Sequence, residues 1–178
     1  EDGERAVERS RGLEDVYKSQ QEGARVVIAA RSSGELDDVV STIDDAGGVG
    51  LAAQMNVTDL GSVEAAVWRA TEFTGGPIDV LINNAGVIRD RTIAKMRRGE
   101  WRAVMDVNLG GVLYARKYGL EVMRGGGEIV SLGSIAGIVG FFGQASYAAA
   151  KAGVMAMMRV RARECGKRNI RANAVAHG

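Results

Sequence analysis

Short apolar segments alternate with segments of helical periodicity along most of this chain, and that alternation restricts the fold more than any other feature. The apolar segments are nearly continuous runs of Val, Ile, Leu and Ala, which is typical of parallel strands covered on both faces by crossover helices. The predicted order is therefore βαβαβαβαβ, an α/β fold with a doubly wound parallel sheet and helices on both faces. The predicted strands are Arg25–Ala30, Val49–Met55, Ile78–Ile82, Glu128–Leu132 and Ile170–Val175, and the predicted helices are Ser33–Ala46, Asp59–Thr74, Gly99–Met123 and Gln144–Cys165.

Length and charge favour a single globular domain that binds neither nucleic acid nor a membrane. The 178 residues, 46% hydrophobic and 25% charged, suit one globular domain. A net charge of +1, with no block of five like charges, indicates neither a nucleic-acid partner nor a membrane tether. The single Cys165 cannot form an internal disulfide, and no apolar run approaches the roughly 18 residues that span a bilayer. These features predict a cytoplasmic protein.

Polar residues follow several of the predicted strands. Doubly wound sheets bind ligands in the crevice beyond the carboxyl ends of their strands. A functional site is therefore expected along that edge of the sheet. The polar residues at these positions are Arg31, Asn56, Asn83, Asn84 and Ser134.

Tyr147 and Lys151 are spaced for proton transfer. Residues four apart share one face of a helix, so the ammonium lies about one turn beyond the phenol. A tyrosine hydroxyl has a pKa of about 10, and a neighbouring positive charge lowers that pKa towards the range useful for catalysis. Ser134, beyond a Gly-rich loop, provides a hydroxyl that could hydrogen-bond a substrate carbonyl oxygen. The three residues predict a carbonyl reductase.

Several ordered motifs resemble the short-chain dehydrogenase/reductase family from about Gly23 to the end of the chain. They are Asn83-Asn84-Ala85-Gly86 after the strand IDVLI, Asn108 in MDVNLGG, Ser134, and Tyr147 to Lys151 in YAAAK. The flanks NNAGVIRDRTIAKM, GQASYAAAKAGV and NIRANAVAHG most resemble the 3-oxoacyl-[acyl-carrier-protein] reductase branch. The resemblance implies a Rossmann fold, a nicotinamide cofactor, a carbonyl substrate carried on acyl carrier protein or coenzyme A, and homo-oligomers among full-length relatives.

The resemblance also implies a catalytic tetrad of Asn108, Ser134, Tyr147 and Lys151. In it Tyr147 would protonate the developing alkoxide, and Ser134 would hold the carbonyl. Lys151 would also hydrogen-bond the nicotinamide ribose, and Asn108 would bind a water that links Lys151 to solvent. No metal is implied.

Cofactor choice depends on the end of the strand RVVIAAR. An acidic residue there would select NAD(H), but Ala30 occupies the position and Arg31 follows. A guanidinium can pair with a 2′-phosphate, which favours NADP(H) over NAD(H). The full set of expected cofactor-binding residues is Ser10, Arg11, Gly12, Leu13, Arg31, Asn56, Val57, Asn84, Ala85, Gly86, Tyr147 and Lys151.

The amino end departs from the family pattern. The family opens with a strand and a turn of the form T-G-x-x-x-G-x-G, whose glycines let a helix N-terminus approach the pyrophosphate. Here Glu8 and Glu14 replace the first and third glycines, and Gly12 alone remains. Residues 1–22 are thus interpreted as an atypical segment in place of the first strand and turn, and residues 23–178 as a truncated family domain, so the fold is expected to be incomplete at both ends.

Three functional interpretations remain open. The first is an NADP(H)-dependent reductase of a ketone, with a 3-oxoacyl thioester as the favoured substrate. The second is a catalytically silent relative with impaired dinucleotide binding, favoured by Glu8 and Glu14. The third, if Arg31 does not contact phosphate, is an NAD-dependent alcohol or sugar dehydrogenase.

Overall fold

A computed structural model of the chain describes residues 18–19, 22–164 and 166–176. Its strands and helices alternate as predicted, so the α/β class is confirmed. The strands are β1 (Arg25–Ala30), β2 (Val49–Gln54), β3 (Ile78–Asn83), β4 (Met123–Leu132) and β5 (Arg171–Val175). The helices are α1 (Ser33–Asp45), α2 (Leu60–Thr74), α3 (Arg98–Met105), α4 (Gly111–Val122), α5 (Ala136–Val139) and α6 (Ala145–Glu164).

All strand pairs are parallel, but the five strands form two sheets rather than one. β1 pairs with β2, from Arg25 opposite Val49 to Ala30 opposite Gln54. β3, β4 and β5 form the second sheet with β4 in the centre. Helix α2 contacts β1, β2 and β3 and so packs against both sheets. Among the described strands, every strand except β4 therefore has one edge without a strand partner.

Strand β4 begins five residues earlier than the sequence predicts. Ile78 lies opposite Met123, whereas Val80 lies opposite Glu128, so the intervening glycines form an irregularity in the ladder. A Cβ on Gly127 would lie 2.8 Å from the Asp79 carbonyl oxygen, which explains why glycine is needed at this close approach. Regular pairing resumes at Glu128, the predicted start.

The helix boundaries follow local capping chemistry. The Asp59 carboxylate accepts a hydrogen bond from the Ser62 N–H at 2.9 Å, and Gly75 ends α2 in the left-handed conformation. The predicted helix Gly99–Met123 exists, but one π-helical turn, Asp106–Gly110, separates α3 from α4. Such turns are frequent at functional sites, and this one contains Asn108.

Three helices cover one face of the β3–β4–β5 sheet. Buried apolar groups join α2 to α4, α4 to the sheet, and α6 to the start of α4 and to β5. Leu81 of β3 packs against Gly119 on this face, where a Cβ would lie 2.7 Å from Leu81 Cδ2. The alternate residues Val80 and Ile82 remain about half exposed, at 52% and 49%. The side chains on the other face of β3 are therefore about half exposed to solvent.

No helix in the described part of the chain is long and apolar enough to cross a membrane. The predicted cytoplasmic location is not tested by that observation and stays a prediction.

Candidate active site

Lys151 connects the tyrosine to the end of β4. Its side chain is buried, and Nζ donates a hydrogen bond to the Leu132 carbonyl oxygen at 2.7 Å. The same Nζ lies 5.6 Å from the centre of the Tyr147 ring, within the range of a cation–π contact. The predicted pair on one face of α6 is thus present, and the ammonium has a fixed position beside the phenol.

Ser134 lies just beyond β4 and is also buried. Its Oγ accepts a hydrogen bond from the Ala136 N–H at 3.1 Å, at the start of α5. A hydroxyl can accept and donate at once, and the Ser134 proton is not engaged by any described residue. The serine is therefore held by its oxygen while its proton can be donated to a substrate.

A close contact holds α5 against α6 beside the lysine. A Cβ built on Gly137 would lie 2.7 Å from the Ala152 N and 2.9 Å from the Lys151 C atom. Because both atoms belong to the backbone, only glycine fits here without moving a helix. The contact places the Ser134 segment next to the Tyr147–Lys151 helix.

Asn108 is fully buried, and its amide is engaged by the backbone of one residue. Oδ1 accepts from the Val87 N–H at 2.7 Å, and Nδ2 donates to the Val87 carbonyl at 3.0 Å. Val87 directly follows Asn84-Ala85-Gly86, so this pair of hydrogen bonds fixes the loop after β3. A relay water would have the main-chain carbonyl of Asn108, the second lone pair of Oδ1 or the second N–H of Nδ2 to bind.

The first asparagine of the same motif ties β3 to β4. Asn83 Nδ2 donates to Ser131 Oγ at 3.0 Å, and both side chains are buried. Asn84, Ala85 and Gly86 by contrast are exposed at the carboxyl end of β3. Asn83 therefore connects two strands, whereas Asn84, Ala85 and Gly86 are accessible to a ligand.

Asn56 and Val57 lie beyond β2. The Asn56 Oδ1 already accepts hydrogen bonds from the Thr58 N–H and Oγ1, at 3.1 and 2.9 Å. It therefore presents its amide NH₂ group, rather than its oxygen, to any ligand. Val57 lies against Gly111, where a Cβ would lie 2.8 Å from the valine Cβ. Helix α4 thereby fixes the position of this loop.

Arg31 follows β1 and is exposed. Its carbonyl oxygen accepts from Gln54 Nε2, but its guanidinium has no hydrogen bond or ion pair with the described residues. A cation in this state can bind an anionic group without breaking an existing contact. The predicted residues Ser10, Arg11, Gly12 and Leu13, together with Glu8, Glu14 and Cys165, lie outside the described residues.

An apolar cavity of about 460 Å³ lies beside the start of α6, and it is not at the tetrad. Ala145 lines the cavity. Tyr147 is two residues further along α6, about 200° around the helix, so its side chain points away from the cavity. The remaining lining residues are Ile93, Met96, Arg97, Arg98 and Trp101.

Sequence reasoning missed two groups that position the site. The Leu132 carbonyl holds Lys151, and the Val87 backbone holds Asn108. Main-chain groups have no signature of their own in a sequence. Ser131, in contrast, is a polar residue within an apolar strand, and that signal could have identified the contact with Asn83.

These features define a class of protein: an α/β fold with a Ser–Tyr–Lys site at the carboxyl edge of a parallel sheet. A sequence model described as short chain dehydrogenase matches residues 9–178. The chain belongs to the short-chain dehydrogenase family.

Two curated relatives illustrate the similarity. The chain is 40% identical over 160 residues to 3-oxoacyl-[acyl-carrier-protein] reductase FabG of Thermotoga maritima, covering 89% of this chain and 65% of that protein. It is 40% identical over 159 residues to 3-oxoacyl-[acyl-carrier-protein] reductase of Synechocystis sp., covering 88% and 64%. The chain therefore spans just under two thirds of the length of these relatives.

Solved structures give the same family. A short chain dehydrogenase from Mycobacterium smegmatis superimposes with a TM-score of 0.89 at 36% identity, over 93% of this chain and 70% of that chain. A short-chain dehydrogenase/reductase from Serratia marcescens gives a TM-score of 0.87 at 31% identity, over 93% and 68%.

Proposed function

We propose that this chain is an NADP(H)-dependent oxidoreductase that reduces a ketone, a 3-oxoacyl thioester, to a secondary alcohol. The position of the Lys151 ammonium carries the proposal. It is held by the Leu132 carbonyl on one side and lies over the Tyr147 ring on the other. A buried cation at that place stabilises the phenolate that Tyr147 becomes when it gives up its proton. The hydroxyl is therefore a better proton donor near neutral pH than a free tyrosine.

Each side chain has a role in the proposed reaction. The Tyr147 hydroxyl donates a proton to the carbonyl oxygen as negative charge develops on it. The Ser134 hydroxyl donates a hydrogen bond to the same oxygen and stabilises that charge. Asn108 keeps the loop after β3 in place through Val87. It would also bind a water that links Lys151 to solvent, and through that water Tyr147 would regain its proton. The nicotinamide cofactor, when bound, supplies the hydride.

The described residues fit such a cofactor at its adenosine end and at its nicotinamide end. The guanidinium of Arg31, which no described residue engages, lies where the 2′-phosphate of NADP(H) is expected. The exposed Asn84-Ala85-Gly86 segment likewise follows the carboxyl end of its strand. Tyr147 and Lys151 provide the nicotinamide side. The choice of NADP(H) over NAD(H) therefore depends on Arg31.

The substrate class comes from the relatives. Those at 40% identity carry names that specify 3-oxoacyl groups on an acyl carrier protein. We propose the same acyl thioester for this chain, carried on acyl carrier protein or on coenzyme A. We propose also that the protein forms homo-oligomers, as expected of full-length members of the family.

A cofactor titration tests the proposal. NADPH fluorescence should show saturable binding, and Arg31→Ala should weaken NADPH binding about 10- to 100-fold while NADH binding changes little, because a charge-assisted hydrogen bond contributes about 1.5–3 kcal/mol. Arg69→Ala is the matched control, since Arg69 is an exposed arginine on α2 about 14 Å along the helix from its start at the sheet edge.

The same titration separates the alternatives. Absence of NADPH and NADH binding at millimolar concentration would favour the catalytically silent relative, in keeping with Glu8 and Glu14. Equal binding of both cofactors, unchanged by Arg31→Ala, would favour an NAD-dependent alcohol or sugar dehydrogenase.

A further inference from the structure

The side chain of Met155 lies against the backbone on both sides of Ser134. Gly133 directly precedes this serine and Gly137 follows it by three residues, and we call residues 133–137 the serine segment. A Cβ on Gly133 would lie 3.2 Å from Met155 Cγ and 3.5 Å from Sδ. A Cβ on Gly137 would lie 2.9 Å from Met155 Cε. The methionine therefore extends along the serine segment from one glycine to the other.

The two glycines leave room for this side chain. Neither has a Cβ of its own, so the space between the serine segment and α6 is filled from the helix. Met155 is half-buried there, and its unbranched side chain has enough rotatable bonds to follow the backbone. At Gly137 the backbones of α5 and α6 already touch, whereas at Gly133 the contact with α6 is made by Met155. Because protein interiors are close-packed, Met155 sets how closely the Gly133 end of the segment approaches α6.

The backbone hydrogen bonds of the serine segment fix it in other directions. The Gly133 N–H donates to the Val175 carbonyl of β5 at 2.8 Å, and the Gly137 N–H donates to the Ser134 carbonyl at 3.0 Å. The first bond holds the segment to the sheet, and the second closes its own turn. The distance of Ser134 from α6 therefore depends on side-chain packing, which Met155 provides.

The same helix carries the other hydroxyl of the site. Met155 is four residues after Lys151 and eight after Tyr147, so the three side chains leave α6 on the same side. A helix holds such residues in a fixed relation to one another. A group on α6 that positions Ser134 thus also fixes the separation of Ser134 from Tyr147.

We propose that Met155 is a positioning residue, which holds the Ser134 hydroxyl where it and the Tyr147 hydroxyl both reach one carbonyl oxygen. The inference rests on the proposed ketone reduction and adds a residue to it. Two donors that converge on one atom must be placed within about 0.5 Å, and small displacements cost rate rather than binding. Met155 itself touches neither substrate nor cofactor in this role.

Met155→Ala tests the role because it removes the atoms beside both glycines. We expect kcat for a 3-oxoacyl thioester to fall about 10- to 100-fold. The affinity for NADPH should be nearly unchanged, since Lys151 keeps its hydrogen bond to the Leu132 carbonyl. Met155→Leu restores most of the volume and should keep kcat within about threefold of the unsubstituted chain.

Met157→Ala is the matched control. Met157 is also a half-buried methionine of α6, but it packs against the cluster of Val112, Val154 and Met158. Its loss should lower the midpoint of thermal unfolding about as much as Met155→Ala does, with kcat nearly unchanged. If Met155→Ala does not fold by circular dichroism, Met155→Val, which lacks Sδ and Cε, replaces it in each comparison.

A double-mutant cycle shows whether Met155 acts through the serine. Ser134→Ala alone removes a hydrogen-bond donor and should lower kcat about 100- to 1000-fold. In that chain, adding Met155→Ala should lower kcat less than about twofold further, because the group that Met155 positions is already absent. An equal loss with and without Ser134 would overturn the inference.

Hydrogen exchange tests the contact without any reaction. The Ala136 and Gly137 N–H groups donate to the Ser134 Oγ and carbonyl, so a loosened segment exposes them. Mass spectrometry of a peptide that covers the serine segment should show about tenfold faster exchange in Met155→Ala but not in Met157→Ala.

The two proposals fail in different ways. Unchanged exchange and unchanged kcat in Met155→Ala, in a chain that reduces the ketone, would refute the positioning role alone. Faster exchange in Met155→Ala, in a chain that reduces no ketone, would refute the proposed function while leaving the contact between Met155 and the serine segment established.

Discussion

Asn108 and Val87 are joined by two hydrogen bonds, from the Val87 N–H to Oδ1 at 2.7 Å and from Nδ2 to the Val87 carbonyl at 3.0 Å. The pair connects a π-helical turn to the loop after β3. Asn108→Ala would leave two backbone groups without partners in a buried place, and we expect it to lower the free energy of unfolding by about 2–4 kcal/mol. Urea unfolding measures this loss.

Asn173→Ala is the control for that prediction. Asn173 is an exposed residue of β5, and its Nδ2 donates to the Glu128 carboxylate at 2.8 Å, so its loss should cost under about 1 kcal/mol. Equal destabilisation by the two variants would show that the Asn108 amide does not fix the loop.

Gly137 provides a second test. An alanine there would press its Cβ against the backbone of α6, and we expect Gly137→Ala to destabilise the protein by about 1–3 kcal/mol and to lower ketone reduction. Gly34→Ala is the control, because a Cβ at Gly34 meets nothing within 4 Å and alanine favours a helix. Thermal unfolding of both variants would reveal the difference; a harmless Gly137→Ala would contradict the close packing of α5 on α6.

The order of elements could be predicted from the sequence because apolar periodicity reports burial directly. The predicted strand Arg25–Ala30 begins and ends at the same residues as β1. Asp59 and Gly75 mark the ends of α2, because capping residues of these types can be seen in a sequence. The two separate sheets could not be predicted, since strand order depends on contacts between distant segments. The π turn at Asp106–Gly110 was also hidden, because nothing in local propensity distinguishes it from an ordinary helix.

The same contrast holds at the site. Tyr147 and Lys151 could be paired from their spacing, because a helix fixes the relation of residues four apart. The partners of Lys151 and Asn108 are main-chain groups of Leu132 and Val87, which only the fold brings near.

The lowered pKa of Glu100 predicts that the stability of the fold depends on pH in the acid range. Hydrogen bonds from the Arg97 side chain and backbone, and from Arg91, lower the pKa of the Glu100 carboxyl to about 2. A carboxyl with a lowered pKa stabilises the fold above its unfolded pKa of about 4.3 and loses that contribution as the pH falls towards 2.

Glu100→Gln should therefore lower the free energy of unfolding most between pH 5 and 7, where the Glu100 carboxylate is ionised in both the folded and the unfolded chain. The difference in stability from the unsubstituted protein should shrink as the pH falls from about 4.5 to 2, because the carboxylate becomes protonated. Urea unfolding across that range measures it. A difference independent of pH would indicate that the charge of Glu100 contributes nothing.

The open face of β3 predicts self-association. Val80 and Ile82 are about half exposed, and β3 has one edge without a partner among the described strands. Exposed apolar strands at a sheet edge favour edge-to-edge pairing. Ile82→Thr keeps a β-branched side chain while adding a hydroxyl, and light scattering should show less association at equal concentration. Leu113→Thr, at a similarly exposed helical position, should have less effect; the reverse order would locate the association elsewhere.

The most direct test of the central claim is NADPH oxidation with a 3-oxoacyl thioester, followed by absorbance in the unsubstituted chain and in Tyr147→Phe. If Tyr147 donates the proton, the unsubstituted chain oxidises NADPH only when the ketone is present. Tyr147→Phe then loses at least about 100-fold of that rate while its affinity for NADPH remains nearly unchanged. Retention of the rate by Tyr147→Phe would contradict the assignment of Tyr147 as the proton donor.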